Sequence, residues 1–291
     1  MNGSWLPASE AKLENNDIGF LQSAVIVERL RTFKTSVPYI SEHLTRFQRS
    51  CTAIGIELTH DEQTLRSLVL EVAKKNCPSE SEDISIVLIA SPGVTDGLKP
   101  TLICMPSVLP WQRLAAFYSH GQELLITDIQ NVPPSSWSPQ IKTRSRLHYY
   151  LADRDARQKT GNPNCSGIVI DPAGNILDTS ISNVAMLEGD RLIYPPDELL
   201  LPGLSQARML KIAEQILPTE SICKETISAE RLRAAETIIL SGTTGCMWYA
   251  SSVDGRVIKQ PTENSIAMKI RQRWIEELEF NFVSQAVERV Q

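Results

Sequence analysis

The stretch SGIVIDPAGNILDTSISNVAMLEGDRLIYPP, residues 166–196, decides the fold class. Apolar, β-branched runs alternate with two turn signals, Asp171-Pro172-Ala173-Gly174-Asn175 and Glu188-Gly189-Asp190. That pattern predicts a β-meander of strand, turn, strand, turn, strand. Beyond it, GLSQARMLKIAEQILP (203–218) places Ala207, Leu210, Ala213 and Ile216 on one face of a helix that Pro218 ends. SAERLRAAE (228–236) reads as a short helix, ETIILSGTTG (236–245) as a strand entering a small polar turn, and residues 264–290 as a terminal helix or helix pair.

Upstream, SAVIVERLRTF (23–33) reads as a strand, with VPYI (37–40) as its hairpin partner. SEHLTRFQRSCTAIGI (41–56) has Leu44, Phe47, Cys51 and Ile54 at helical spacing behind a Ser41 cap. THDEQTLRSLVLEVAKKN (59–76) is a second capped helix closed by Cys77-Pro78, and DISIVLIA (83–90), TLICMPSVL (101–109) and ELLITDIQ (123–130) are strands. NVPPSSWSPQ (131–140), with three prolines and three serines, cannot continue any element. The expected organisation is therefore an α/β protein of α+β type: a small N-terminal domain at 1–130, a linker at 131–140 and a larger C-terminal domain at 141–291. A chain of 291 residues is natural for two cores.

Composition limits function. The net charge of -5 and pI near 5.5 argue against a nucleic-acid partner, which needs a basic face to displace counterions. The six cysteines have no CxxC or Cys/His spacing, so no metal site is expected and the thiols read as reduced, in a cytoplasmic protein. Apolar runs such as ISIVLIA (84–90) are strand-length, so no membrane association is expected. GxGxxG, GxxxxGKS, HExxH and GxSxG do not occur.

Several residues are open to a functional and a plain reading. Gly203-Leu204-Ser205 opens a helix, whose unsatisfied N–H groups form an anion seat, and the hydroxyls of Ser241-Gly242-Thr243-Thr244-Gly245 can add donors; alternatively Ser205 only caps its helix and the second turn only connects. Arg46 lies in the first turns of a helix, where a cation opposes the macrodipole and calls for an anionic partner, unless it is simply solvated. His43 reads as packing or capping. Lys142 ends the Pro/Ser run ahead of a helix, where desolvation would make it a nucleophile and solvation would make it inert.

Taken in order, EHLTRF (42–47), IKTRSRLHYYLADRDA (141–156), IDPAGNILDTSISNV (170–184), LLPGLSQARML (200–210) and LSGTTGCMWYASSVDG (240–255) resemble the class IV aminotransferase family, the fold type IV pyridoxal-phosphate enzymes. That family includes branched-chain aminotransferases, D-amino acid aminotransferases and aminodeoxychorismate lyases. The resemblance implies two domains, the larger with a barrel-like sheet, and pyridoxal 5'-phosphate as cofactor. It implies that Lys142 forms the Schiff base, that Arg46, Leu204, Ser205 and Thr243 bind the cofactor phosphate, and that Asp178 meets the pyridine nitrogen. Asn183 would shape a turn. Thr243, Thr244 and Glu28 would face the substrate, and Arg146, Tyr149 or Tyr150 would serve the cofactor's phenolate oxygen.

Two departures from the family pattern stand out. Asp178 replaces the usual glutamate and is one methylene shorter, and FLQSAVIVERL (20–30) lacks the family's glycine-rich phrase, keeping only Glu28. SGTTG followed by SSVDG resembles the aminotransferases, whereas Arg146-Leu147 resembles the lyases. The expected activity is amino transfer between an amino acid, such as a branched-chain one, and a 2-oxo acid. The alternatives are aminodeoxychorismate lyase and a cofactor-poor, non-catalytic relative. The family's usual state implies a homodimer.

Overall fold

In the computed structural model the described residues are 1–77, 79, 82–94 and 99–291. They form two compact units, Met1–Leu109 with Ile141–Arg146, and Pro110–Gln140 with Leu147–Gln291.

The first unit contains α1 (Ile18–Leu21), β1 (Ile26–Arg31), α2 (Ile40–Ala53), α3 (Glu62–Asn76), β2 (Ser85–Ser91) and β3 (Thr101–Ser107). The strands pair antiparallel in the order β1-β2-β3. Ile26, Leu30, Ile86 and Leu88 are buried in one cluster with Leu44 and Phe47 of α2 and Leu65 and Val69 of α3. Pro78, expected to close α3, lies outside the described residues.

β1 is not half of a hairpin with residues 37–40. Lys34, Thr35 and Tyr39 have φ of 47°, 70° and 58°, left-handed conformations that cannot continue a strand. Beyond its pairing with β2, β1 takes up the returning segment 141–146: the Val27 N–H donates to the Lys142 carbonyl at 3.0 Å and the Arg144 N–H to the Val25 carbonyl at 2.8 Å. The catalytic candidate Lys142 is thus held as part of a sheet edge. Ser41 lies inside the first turn of α2 rather than capping it, because Tyr39 is the N-cap; its hydroxyl accepts from Arg66.

The second unit contains α4 (Trp111–His120), β4 (Gln122–Gln130), α5 (Leu147–Thr160), β5 (Ser166–Ile170), β6 (Ile176–Thr179), β7 (Asn183–Glu188), β8 (Arg191–Tyr194), α6 (Leu204–Ala213), β9 (Ile222–Lys224), α7 (Ala229–Ala234), β10 (Thr237–Gly242), β11 (Cys246–Val253), β12 (Arg256–Val257), α8 (Ile266–Leu278) and α9 (Phe282–Glu288). The order β10-β11-β4-β5-β6-β7 closes into a ring because β7 also pairs with β10. Closure leaves these strands without a free edge. Leu124, Ile168, Ile176, Val184, Ile238, Leu240 and Trp248 share one buried cluster in this unit. The expected two-domain fold with a barrel-like sheet is what the chain forms.

Three features depart from the sequence reading. The division lies at Leu109/Pro110 rather than at 131–140, because β4 already pairs in parallel with β11 and β5 of the second sheet. The helix α4 was not anticipated; Leu114, Ala115 and Phe117 are its buried positions. The middle stretch of the meander is two strands, not one, broken by a turn in which the Thr179 N–H donates to the Ser182 carbonyl at 2.9 Å. That turn sets Asp178 opposite Asn183.

Candidate functional site

In the first unit the candidate residues gather around Glu28, which is 0% exposed. His43 and Arg46, three residues apart and so on one face of α2, both reach it. Arg46 is bidentate, with Nε donating to Oε2 and Nη2 to Oε1, each at 2.8 Å, and His43 Nδ1 lies 3.0 Å from Oε1. Burial alone would raise the Glu28 carboxyl, but the charge of Arg46 and the hydrogen bonds of both neighbours outweigh it and hold the group well below the usual carboxylate range. The anionic partner that Arg46 calls for is thus supplied by the protein itself. Glu28, expected to touch substrate, is instead an internal counter-ion, because both its oxygens are engaged and no part of it meets solvent.

Lys142 is fixed through its backbone, its N–H donating to Ser50 Oγ at 3.2 Å and its carbonyl accepting from Val27. Burial, then the charge of Arg46, bring its ammonium down to about 7, with Glu28 opposing and Arg146 and Arg144 adding smaller downward pushes. Near neutral pH such a lysine holds a large fraction of free amine, the form that attacks a carbonyl and exchanges protons. Arg144 is exposed, yet burial of its stem and the charges of Arg29 and Arg146 lower it as well. Arg157 forms an exposed pair with Asp153 at 3.4 Å, and Arg154 is exposed.

In the second unit, the Asp178–Asn183 register is the organising contact. Asp178 is 4% exposed, and the Tyr149 hydroxyl donates to its Oδ1 at 2.8 Å. Tyr150, by contrast, is 64% exposed. Asn183 donates through Nδ2 to the Leu201 carbonyl at 3.0 Å, and a Cβ added to Gly203 would meet Asn183 Oδ1 at 1.8 Å. Only glycine fits there. Gly203 is itself the N-cap of α6, with no side-chain cap, so Ser205 lies within the helix and does not cap it. The first turn at Leu204 and Ser205 therefore keeps backbone donors for an anion.

Asn183 also pairs with Ser241 of β10, which brings the second turn into the same neighbourhood. Thr243 and Thr244 are half-buried in that turn, where a Cβ on Gly242 would come within 2.5 Å of the Ile181 carbonyl oxygen. Gly203, Leu204, Ser205, Asn183 and the 242–245 turn thus form one cradle in this unit. It suits a phosphate: backbone donors, hydroxyls and glycines where side chains would intrude.

Residues 25–253 match the model of the family described as amino-transferase class IV. The chain belongs to the class IV aminotransferase family. It is similar to the aminodeoxychorismate lyase of Bacillus subtilis (strain 168), 27% identical over 231 residues covering 74% of this chain and 73% of that one. It is also similar to the D-alanine aminotransferase of Staphylococcus aureus (strain MW2), 24% identical over 279 residues with 94% of each covered. Its fold matches a crystal structure of branched-chain amino acid aminotransferase from Escherichia coli, with TM-score 0.85, 19% identity and 94% and 92% of the two chains covered. Class IV aminotransferases depend on pyridoxal phosphate.

Against that family background, two contacts went unread in the sequence. The Tyr149–Asp178 bond joins α5 to β6 across 29 residues, a separation that no local periodicity signals. The Glu28 fork did have one: a single carboxylate within the apolar IVERL strand, and a His-x-x-Arg spacing on the next helix, together pointing to a buried ion pair. No helix among the described residues is long and apolar enough to cross a membrane.

Proposed function

We propose that the protein is a pyridoxal-phosphate-dependent aminotransferase that moves an amino group between an amino acid and a 2-oxo acid. Lys142 carries the reading: in a class IV chain it is a lysine with its backbone tied on both sides and its ammonium brought to about 7 by burial and Arg46. When bound, the cofactor supplies an electron sink for the substrate's α-carbon. Lys142 Nζ would hold the cofactor and, as general base and acid, would move a proton between the substrate's α-carbon and the cofactor's C4′ carbon. Asp178 serves the ring nitrogen. The cradle of Leu204, Ser205 and Thr243 binds the phosphate through backbone N–H and hydroxyl donors, and Thr243 and Thr244 orient the substrate carboxylate. Arg46, held by Glu28, would bind the cofactor phosphate, as the class IV resemblance implies. The active form is a homodimer.

A second reading has support of its own. Arg146 follows Lys142 at the lyase-like spacing, and the lyase relative is 27% identical. An assay of amino transfer to 2-oxoglutarate, run beside one for pyruvate release from aminodeoxychorismate, separates the two: transfer without release is expected. A protein that stays colourless with added pyridoxal phosphate, and yields no borohydride-trapped adduct at Lys142, sinks both.

A further inference from the structure

Tyr149 is the third residue of α5, and Asp178 lies in β6. The phenol packs with Ala152, Val169 and Leu177, and the His148 ring lies against it with centroids 4.2 Å apart. Its ring is therefore confined from several sides, while its hydroxyl ends on Asp178 Oδ1 at 2.8 Å. On the far side of Asp178 the register to Asn183 fixes the backbone. An aspartate has two side-chain torsions, and a nearly buried one with a fixed backbone and a fixed donor retains little freedom in either. A glutamate at this position would need its third torsion to fit the same donor. The shorter side chain and the phenol are thus matched to one another.

We infer that Tyr149 is a positioning residue for Asp178, holding the short carboxylate in one orientation so that it serves the cofactor's ring nitrogen without a glutamate's reach. The inference rests on the proposed function, and gives Tyr149 a role through Asp178 in place of the phenolate contact that the resemblance implied for it.

The test is a double-mutant cycle read as the dissociation constant of pyridoxal phosphate, followed through its visible band in the whole protein. Tyr149→Phe is expected to weaken binding about tenfold, the low end for a hydrogen bond to a charged group. In an Asp178→Asn background the same change is expected to cost nothing further, since the group it positions is gone. Asp178→Glu introduced with Tyr149→Phe is expected to recover binding, because the longer carboxylate no longer needs the phenol. A merely structural tyrosine would lose the same factor in every background. That result, no loss in Tyr149→Phe, or no recovery with the glutamate overturns the inference. Borohydride trapping at Lys142 is run on the unaltered protein and each variant: an adduct accompanied by any of those results sinks this inference alone, and no adduct in the unaltered protein sinks it together with the functional reading.

Discussion

Removing Arg46 while keeping Glu28 leaves a fully buried carboxylate without its guanidinium, with His43 and the Arg29 backbone N–H beside it. Breaking a buried pair in this way costs about 3 to 5 kcal/mol. Arg46→Leu should therefore lower stability in urea titrations by about that amount, and Glu28→Gln added to it should restore a large part. If the double variant is as unstable as Arg46→Leu alone, Glu28 is not the reason Arg46 is there. The same residues tune Lys142 in opposite directions. Its attachment rate to pyridoxal phosphate, measured by borohydride trapping, should rise with pH through a midpoint at about 7 as the amine loses its proton. Arg46→Gln should move that midpoint up, and Glu28→Gln should move it down. Linkage gives a further check. Between about 7 and the ordinary 10.5 the unfolded lysine is protonated and the folded one is not, so this group makes stability rise with pH across that window. A Lys142→Met variant should lose that rise; an identical pH–stability slope in variant and unaltered protein would refute the lowered ammonium.

At the scale of elements, the cradle depends on a glycine that the helix α6 uses as its own cap. Gly203→Ala would place a Cβ 1.8 Å from Asn183 Oδ1, so one of the two must move. The expected outcome is a loss of about 1 to 3 kcal/mol, typical of overpacking, seen as a lower melting temperature. Asn183→Ala added to it should recover part of the loss by removing the struck atom. An unchanged melting temperature in Gly203→Ala would show that the approach is not tight. The anion seat itself was legible in Gly-Leu-Ser before a helix, because a cap position and an apolar periodicity are local signals. Its neighbours were not. The turn at 180–182 lies within a run that reads as one strand, and hydrogen bonds among Thr179, Ile181 and Ser182 break it. Likewise β1 carries the alternation of a strand but not the identity of its partners, which are β2 and the segment returning at 141–146. Local pattern fixes an element's type, whereas partner and register come from packing across the chain.

At the scale of the whole molecule, the boundary shows the same limit. A Pro/Ser run marks where no element can continue, but the division falls where strand pairing changes sheets, and β4 changes sheets before that run begins. The six free cysteines offer a way to follow each unit, since Cys51, Cys77 and Cys104 lie in the first and Cys165, Cys223 and Cys246 in the second. Burial pushes Cys51 and Cys104 up to about 12 and Cys165 up to about 11, so in the native protein these thiols should resist iodoacetamide at pH 8. Cys165 immediately precedes β5 and Cys246 begins β11, and both strands pair with β4 inside the closed ring. A closed ring has no terminal strand to fray, so opening one seam removes the closure that holds the others. Pulsed alkylation across a urea gradient, read by mass spectrometry, should therefore show Cys165 and Cys246 becoming reactive at the same urea concentration. Exposure of one at clearly lower urea than the other would mean that the ring opens strand by strand, and that its closure adds no cooperativity.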